Sequence, residues 1–303
     1  MKSFVSMTDY QQLRGTTLVA ISSIFYGMMS YFGVHLLQDH LSVLTMLFWR
    51  FFAGALCMLP LLFQKSKQAY PALSWARWTK MTLFGAVVYS ASSGFYFTAA
   101  KQVGTGLAMV LFFAYPIFVI LFARLFSCWR FNKHTLFAML AVLIGLIFLK
   151  GNGHHTLSMV GIICGLIAAL FYAIYVYGSQ HTAKAIDSRV LTFCICLGNA
   201  SIFFVMAKIT HAFSWPSNAH AWLNVLILGL IGTALPIQLL LDGLKYIDPI
   251  KASILSVLEP VMTLLIGLAL LHETVSVIQA VGVVVVLTSA ILIQFERVQE
   301  ANE

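Results

Sequence analysis

The sequence predicts an all-α membrane protein of ten transmembrane helices, arranged as two inverted repeats of five. Three observations carry this reading. The chain is 60% hydrophobic, only 9% charged, and has a mean hydropathy of +0.91 over 303 residues, a composition that no water-soluble domain sustains. Ten apolar stretches approach the roughly 20 residues that a bilayer core about 30 Å thick requires of a helix. The two halves of the chain also echo one another at a fixed spacing of 144 residues, pairing Gly85 with Gly229, Lys101 with Lys245, Ala108 with Ala252, Leu111 with Leu255, Pro116 with Pro260 and Leu121 with Leu265.

The ten stretches follow in order. The first, 16–37, carries Tyr26 and Tyr31. The second, 42–63, holds Arg50 inside an F-W-R-F run. The third, 81–100, is the most polar, with Tyr89, Ser90, Ser92, Ser93 and Tyr96, and the fourth, 105–127, contains Phe112, Tyr115 and Pro116. The fifth, 135–149, is the shortest. The sixth, 157–178, carries Tyr172, Tyr175 and a Gly161-x-x-x-Gly165 pattern read as close helix packing within the chain. The seventh is 189–207 with Asn199, and the eighth is 221–241 with Gln238. The ninth, 250–271, contains Glu259 directly before Pro260, and the tenth is 276–294. The runs are apolar all round, as lipid-facing or buried helices are, and lack the alternation of barrel strands.

Five spans per repeat is an odd number, so the second copy enters the membrane in the opposite sense to the first. The repeats run over 14–150 and 155–295, and a second echo of Phe25-Tyr26 in Phe171-Tyr172 joins the first and sixth spans. Inverted repeats of this kind place a binding site near the bilayer midplane and permit alternating access around it. Pro116 and Pro260 break the helical ladder at matching points and are the expected hinges.

Charge supports the topology. The formal net charge is +8, but all 18 Lys and Arg except Lys101, Lys150, Lys208 and the intrahelical Arg50 fall on the face of the amino terminus and even-numbered loops. By the positive-inside rule both termini are cytoplasmic, and the basic excess marks orientation rather than a nucleic-acid surface. Tyr70, Trp75, Trp78 and Trp129 are expected at the cytoplasmic boundary, and Trp215 with Trp222 at the outer one. The polar first fourteen residues and long first span predict a retained amino terminus. No loop exceeds about twenty residues, leaving no room for a soluble catalytic domain. The five cysteines form no C-x-x-C pattern and predict neither metal nor disulfide.

Arg50 and Glu259 sit deep in their spans, where an ionised group costs from about 2.5 to more than 10 kcal/mol and must face the bundle interior with a partner. Each is a candidate for substrate binding or ion coupling, and each is the other's natural partner across the repeat interface. Tyr115 matches Glu259 by the repeat, so a phenol and a carboxylate occupy equivalent points. Tyr26 and Tyr172 are likewise repeat-related; with Tyr89 and Tyr96 they offer phenols that require hydrogen-bond partners in hydrocarbon. Ser90, Ser92, Ser93, Asn199 and Gln238 either line the path or bond across helices, and Gln238 is retained among the candidates.

The F-W-R-F run at Phe48–Phe51 and the stretch Ala252 to Glu273, with L-E-P at Leu258–Pro260 and L-L-H-E at Leu270–Glu273, resemble the EamA-type drug/metabolite transporters over almost the whole chain. His272 and the Trp129 that stands opposite Glu273 depart from the family pattern. The resemblance implies ten helices around a central cavity, no cofactor, a small-molecule substrate and residence in a bacterial cytoplasmic membrane. It also implies export of amino acids or other metabolites, with some members importing cofactors or nucleotide-like compounds.

Two other classes fit the sequence less well. An intramembrane enzyme would need a motif that is missing: Ala91-Ser92-Ser93-Gly94 lacks the first glycine of G-x-S-G, and neither H-E-x-x-H nor a phosphate-binding loop occurs. A channel would show charge rings or filter repeats. The reading is a secondary transporter of a small polar, amino-acid-like metabolite, export favoured. Uptake of a cofactor or nucleoside-like compound is the alternative, and a homodimer is left open.

Overall fold

The computed structural model describes residues 7–64, 74–126, 133–149, 158–270 and 276–295. Lys150, Tyr70, Cys128, Trp129, His272 and Glu273 lie outside the described residues. Among those described, every predicted span is helical: α1 (Met7–Gln38), α2 (Val43–Leu62), α3 (Trp75–Val103), α4 (Thr105–Phe112) followed by α5 (Tyr115–Phe126), α6 (Lys133–Leu149), α7 (Met159–Ala185), α8 (Ser188–Ile209), α9 (Ala219–Gly229) followed by α10 (Leu235–Gly243), α11 (Pro249–Leu255) followed by α12 (Leu258–Leu270), and α13 (Val277–Phe295). Seven units are long and apolar enough to cross a membrane, while 136–149 in α6 and 277–289 in α13 are shorter apolar stretches. The polar α3 is not among the seven.

Local chemistry sets the starts. Ser42, Ser158, Asn218 and Asp248 each accept a backbone N–H from the first turn of α2, α7, α9 and α11, and Asp187 does so for α8. Such caps satisfy donors that a helix start leaves orphaned. The three broken units follow from proline. Pro116 and Pro260 supply no N–H, and the chain breaks just before each, at 113–114 and 256–257, with short bonds such as Val257 N–H to Ile254 O replacing the regular ladder. Ahead of Pro236 the helix instead widens into a π-turn, Leu230–Ala234.

The two halves use one packing plan. α3 packs on α7 as α9 and α10 pack on α1; α12 lies along α1 as α4 and α5 lie along α7; α3 meets α8 as α2 meets α9; and the pairs α2·α8 and α6·α13 map onto themselves. Exchanging the halves leaves this set unchanged. Its tightest crossings explain two glycine positions. A Cβ on Gly229 would stand 2.8 Å from the Gly54 nitrogen, and one on Gly198 would stand 2.4 Å from the Ala86 Cβ. Gly54 and Gly198 are themselves 144 residues apart, a repeat match that leucine-rich surroundings conceal. Gly161 and Gly165 seat α7 against Val103 and Leu111, so this pattern serves packing inside the chain.

The buried core runs through the middle of the bundle, with Tyr115, Tyr175, Phe51 and Phe203 among its largest fully enclosed side chains. Large apolar residues such as Leu83, Leu125, Phe137 and Ile163 stay exposed on the outside, as a lipid-facing surface requires. Trp215 and Trp222 pack on Trp49, whose indole N–H donates to Ser214 O at 3.1 Å.

Candidate functional site

Where the halves meet, α1, α2, α3, α4, α7 and α12 enclose a cavity of about 120 Å³. Arg50, Glu259, Tyr26, Tyr89, Tyr96 and Tyr172 all line it, together with Pro260 and Thr263. Six of the eight binding candidates thus converge on one space. A larger cavity of about 370 Å³ adjoins it, sharing Arg50, Tyr96, Phe97, Pro260 and Thr263 and widening toward Gly33 and Leu37 on α1, Thr105 on α4 and Gln279 on α13.

The breaks in the helices place the two charges. Interruption at 256–257 creates a new helix start in mid-bundle, and Glu259 occupies its first turn, where the partial positive charge of the helix end favours a carboxylate. Arg50 is 3% exposed. Its Nε donates to the Thr233 hydroxyl at 2.7 Å, and its guanidinium lies 5.0 Å from the Phe51 ring centroid. Thr233 belongs to the π-turn, and its own hydroxyl donates to Leu228 O at 3.0 Å. The expected direct ion pair is not formed: Arg50 and Glu259 share the cavity, but they are not paired as Arg189–Asp187 and Lys245–Asp242 are. The π-turn gives Arg50 its partner instead.

Tyr115 and Gln238 stand apart from the lining. The Tyr115 hydroxyl donates to Ser253 O at 3.1 Å, and its ring meets that of Tyr172 edge-on at 4.7 Å. Because the Val257 N–H bonds Ile254 O, Ser253 O has lost its helical donor, and Tyr115 replaces it. Leu255 O is freed in the same way and faces the Ser23 hydroxyl at 3.5 Å. Tyr115 therefore locks a broken helix beneath the cavity. Gln238 lies half-buried on α10, and its Oε1 has no partner among the described residues. Pro260 touches the cavity and Pro116 does not.

Ser92 and Ser90 bond across helices, to Ala168 O at 2.9 Å and Asn199 Oδ1 at 2.6 Å; Ser92 and Ser93 also face the cavity. The residue missed by sequence reasoning is Thr233. Its signal was Pro236, which disrupts the turn before it. The Tyr26 hydroxyl, buried at the cavity, has the Tyr89 phenol beside it and no close-geometry hydrogen bond among the described residues, so a ligand or water that met it there would lower the cost of its burial.

The comparisons with known proteins agree with this architecture. The EamA-like transporter family matches twice, over residues 13–150 and 159–295. An uncharacterized transporter of Archaeoglobus fulgidus is 27% identical over 92% of this chain and 95% of its own. The uncharacterized inner membrane transporter YedA of Escherichia coli is 27% identical over 84% of this chain and 83% of its own. One solved crystal structure superposes with a TM-score of 0.77 at 18% identity, covering 93% of this chain and 96% of that one, which shows a common fold. With its cavity built between two copies of one packing plan, the chain belongs to the EamA-like transporter family and is a multi-pass membrane transporter.

Proposed function

We propose that the protein is a ten-span secondary transporter of a small zwitterionic metabolite of the amino-acid type. It works by alternating access between two inverted repeats, in a bacterial cytoplasmic membrane with both termini inside, and export is the favoured direction. The observation that carries the substrate class is that Arg50 and Glu259, groups of opposite sign, face one cavity without a direct ion pair between them. A ligand with an ammonium and a carboxylate completes both. Size agrees. An engineered cavity near 150 Å³ holds benzene, so about 120 Å³ opening into about 370 Å³ suits a ligand of amino-acid dimensions, with Tyr26 offering a further polar contact.

Thermal shift of the purified protein against free amino acids, their methyl esters and the corresponding decarboxylated amines tests this, because a ligand that binds the native state raises its stability. At least one free amino acid is expected to raise the melting temperature, with its ester and amine weaker. A response confined to nucleosides or to singly charged compounds overturns the zwitterion reading. For topology, cysteines replacing the exposed Lys101 and Lys184, in a chain lacking native cysteines, are expected to react with an impermeant thiol reagent outside intact cells at 101 alone. Labelling of both from one side ends the inverted arrangement.

A further inference from the structure

We infer that a groove on the flank of the bundle, beside the mouth of the central cavity, holds one anionic phospholipid, its acyl chain along α3 and its phosphate at Lys101. α2 and α3 both pack on α8 but not closely on each other, leaving between them a space of about 1260 Å³. One wall is a single stripe of α3: Val87, Ala91, Gly94, Thr98 and Lys101, spaced at the three- and four-residue intervals that share a helix face. Leu44 and Leu47 of α2 form the other wall and Met206 of α8 the floor. Gly94 is the open point. A Cβ there would meet no atom within 4 Å, whereas one on Gly85 in the same helix would press on Ile195 at 2.8 Å.

The groove is polar at one end only. Exposed Lys101 and Gln102 on α3 and Ser42 before α2 sit at that end, and the rest is apolar or carries small groups. From Val87 to Lys101 the helix rises about 21 Å, which matches half of a bilayer about 40–45 Å thick with its headgroups. A space one leaflet deep, apolar along its length and basic at its interfacial end, fits a lipid anion. The groove also meets the wide mouth of the central cavity, sharing Leu37, Phe97 and Thr105 with it. A chain lying there closes the side of that mouth between α1 and α3, so the lipid is part of the wall of the transport path.

The test adds dioleoyl phosphatidylglycerol or dioleoyl phosphatidylcholine to the protein purified in a maltoside detergent and reads the melting temperature and the oligomeric mass. The wild type is expected to be stabilised by both lipids, with about a fivefold lower half-effective concentration for phosphatidylglycerol, the scale of one lysine acting on an anionic headgroup. Lys101→Gln removes the preference between lipids. Gly94→Leu, which projects into open space and leaves the fold intact, removes the response to both, and Ala91→Phe repeats that result independently. Equal stabilisation of the wild type and all three variants shows bulk lipid only and overturns the site, as does no response in the wild type. A dimer that Gly94→Leu converts to monomer assigns the groove to a second copy of the chain and likewise overturns it. None of these readouts depends on the transported substrate.

Discussion

The two halves of this protein share a scaffold and divide its chemistry. α2 crosses α9 with Gly54 against Gly229, and α8 crosses α3 at the matching glycines, with Gly198 against Ala86 and Gly85 against Ile195; a helix also breaks just before each of two matched prolines. The charges do not repeat. Arg50 comes from the first half and Glu259 from the second, and Tyr115 replaces Glu259 at the equivalent first-half position. Both breaks open a helix start, yet the second half puts a carboxylate there and the first a phenol that seals a carbonyl. Packing tolerates exchange because it depends on side-chain volume and helix approach. Recognition of an asymmetric ligand requires different groups on the two sides.

The largest effect expected from this division is on Glu259. Glu259→Gln keeps the shape of the side chain and removes its charge. A hydrogen bond to a charged group contributes about 1.5–3 kcal/mol, so affinity for the ligand found by thermal shift is expected to fall about 10- to 150-fold, with the unliganded protein still folded. Wild-type affinity and wild-type transport in proteoliposomes would leave Glu259 a structural group and remove the contrast with Tyr115.

The glycine crossings offer a smaller effect of opposite logic, because here the halves are expected to differ although their sequences match. At Gly229 an added methyl meets backbone, the Gly54 nitrogen at 2.8 Å, and overpacking of that kind costs about 1–3 kcal/mol. At Gly85 it meets a single side chain, Ile195 Cγ1 at 2.8 Å, a buried β-branched group with little room to move, and the gain of up to about 1 kcal/mol from replacing glycine by alanine in a helix offsets part of the strain. Gly229→Ala is therefore expected to lower the melting temperature more than Gly85→Ala does. Equal losses would show that the two crossings are equivalent.

Much of the frame was legible in the sequence because membrane helices are constrained by hydrophobic length and proline, both visible residue by residue. The bounds of α8, predicted at 189–207 and found at Ser188–Ile209, follow from an apolar run with an Asp187 cap. Side-chain partnership was less legible. Arg50 and Glu259 face one cavity, and the partner of Arg50 is Thr233, brought within reach by a π-turn that hydropathy does not register. The match with Glu259 points Tyr115 toward the ligand, and the repeat says nothing of the Ser253 carbonyl that its hydroxyl meets. Gln238 is polar in an apolar span, yet helix rotation alone decides which way such a residue looks.

Tyr115 carries the smallest expected effect and separates the two halves most cleanly. Tyr115→Phe removes one hydroxyl that donates to a carbonyl freed by the break in the ninth span. A neutral hydrogen bond of this kind contributes about 0.5–1.5 kcal/mol, and a buried carbonyl left without its donor adds to the loss. The melting temperature should fall by a small, reproducible amount. Ligand affinity should not change, because the hydroxyl points to α11 rather than into the cavity. If the phenylalanine variant instead binds ligand severalfold more weakly at unchanged stability, then the first half uses its phenol as the second uses its carboxylate, and the division of labour between the repeats fails at the position where they are most directly comparable.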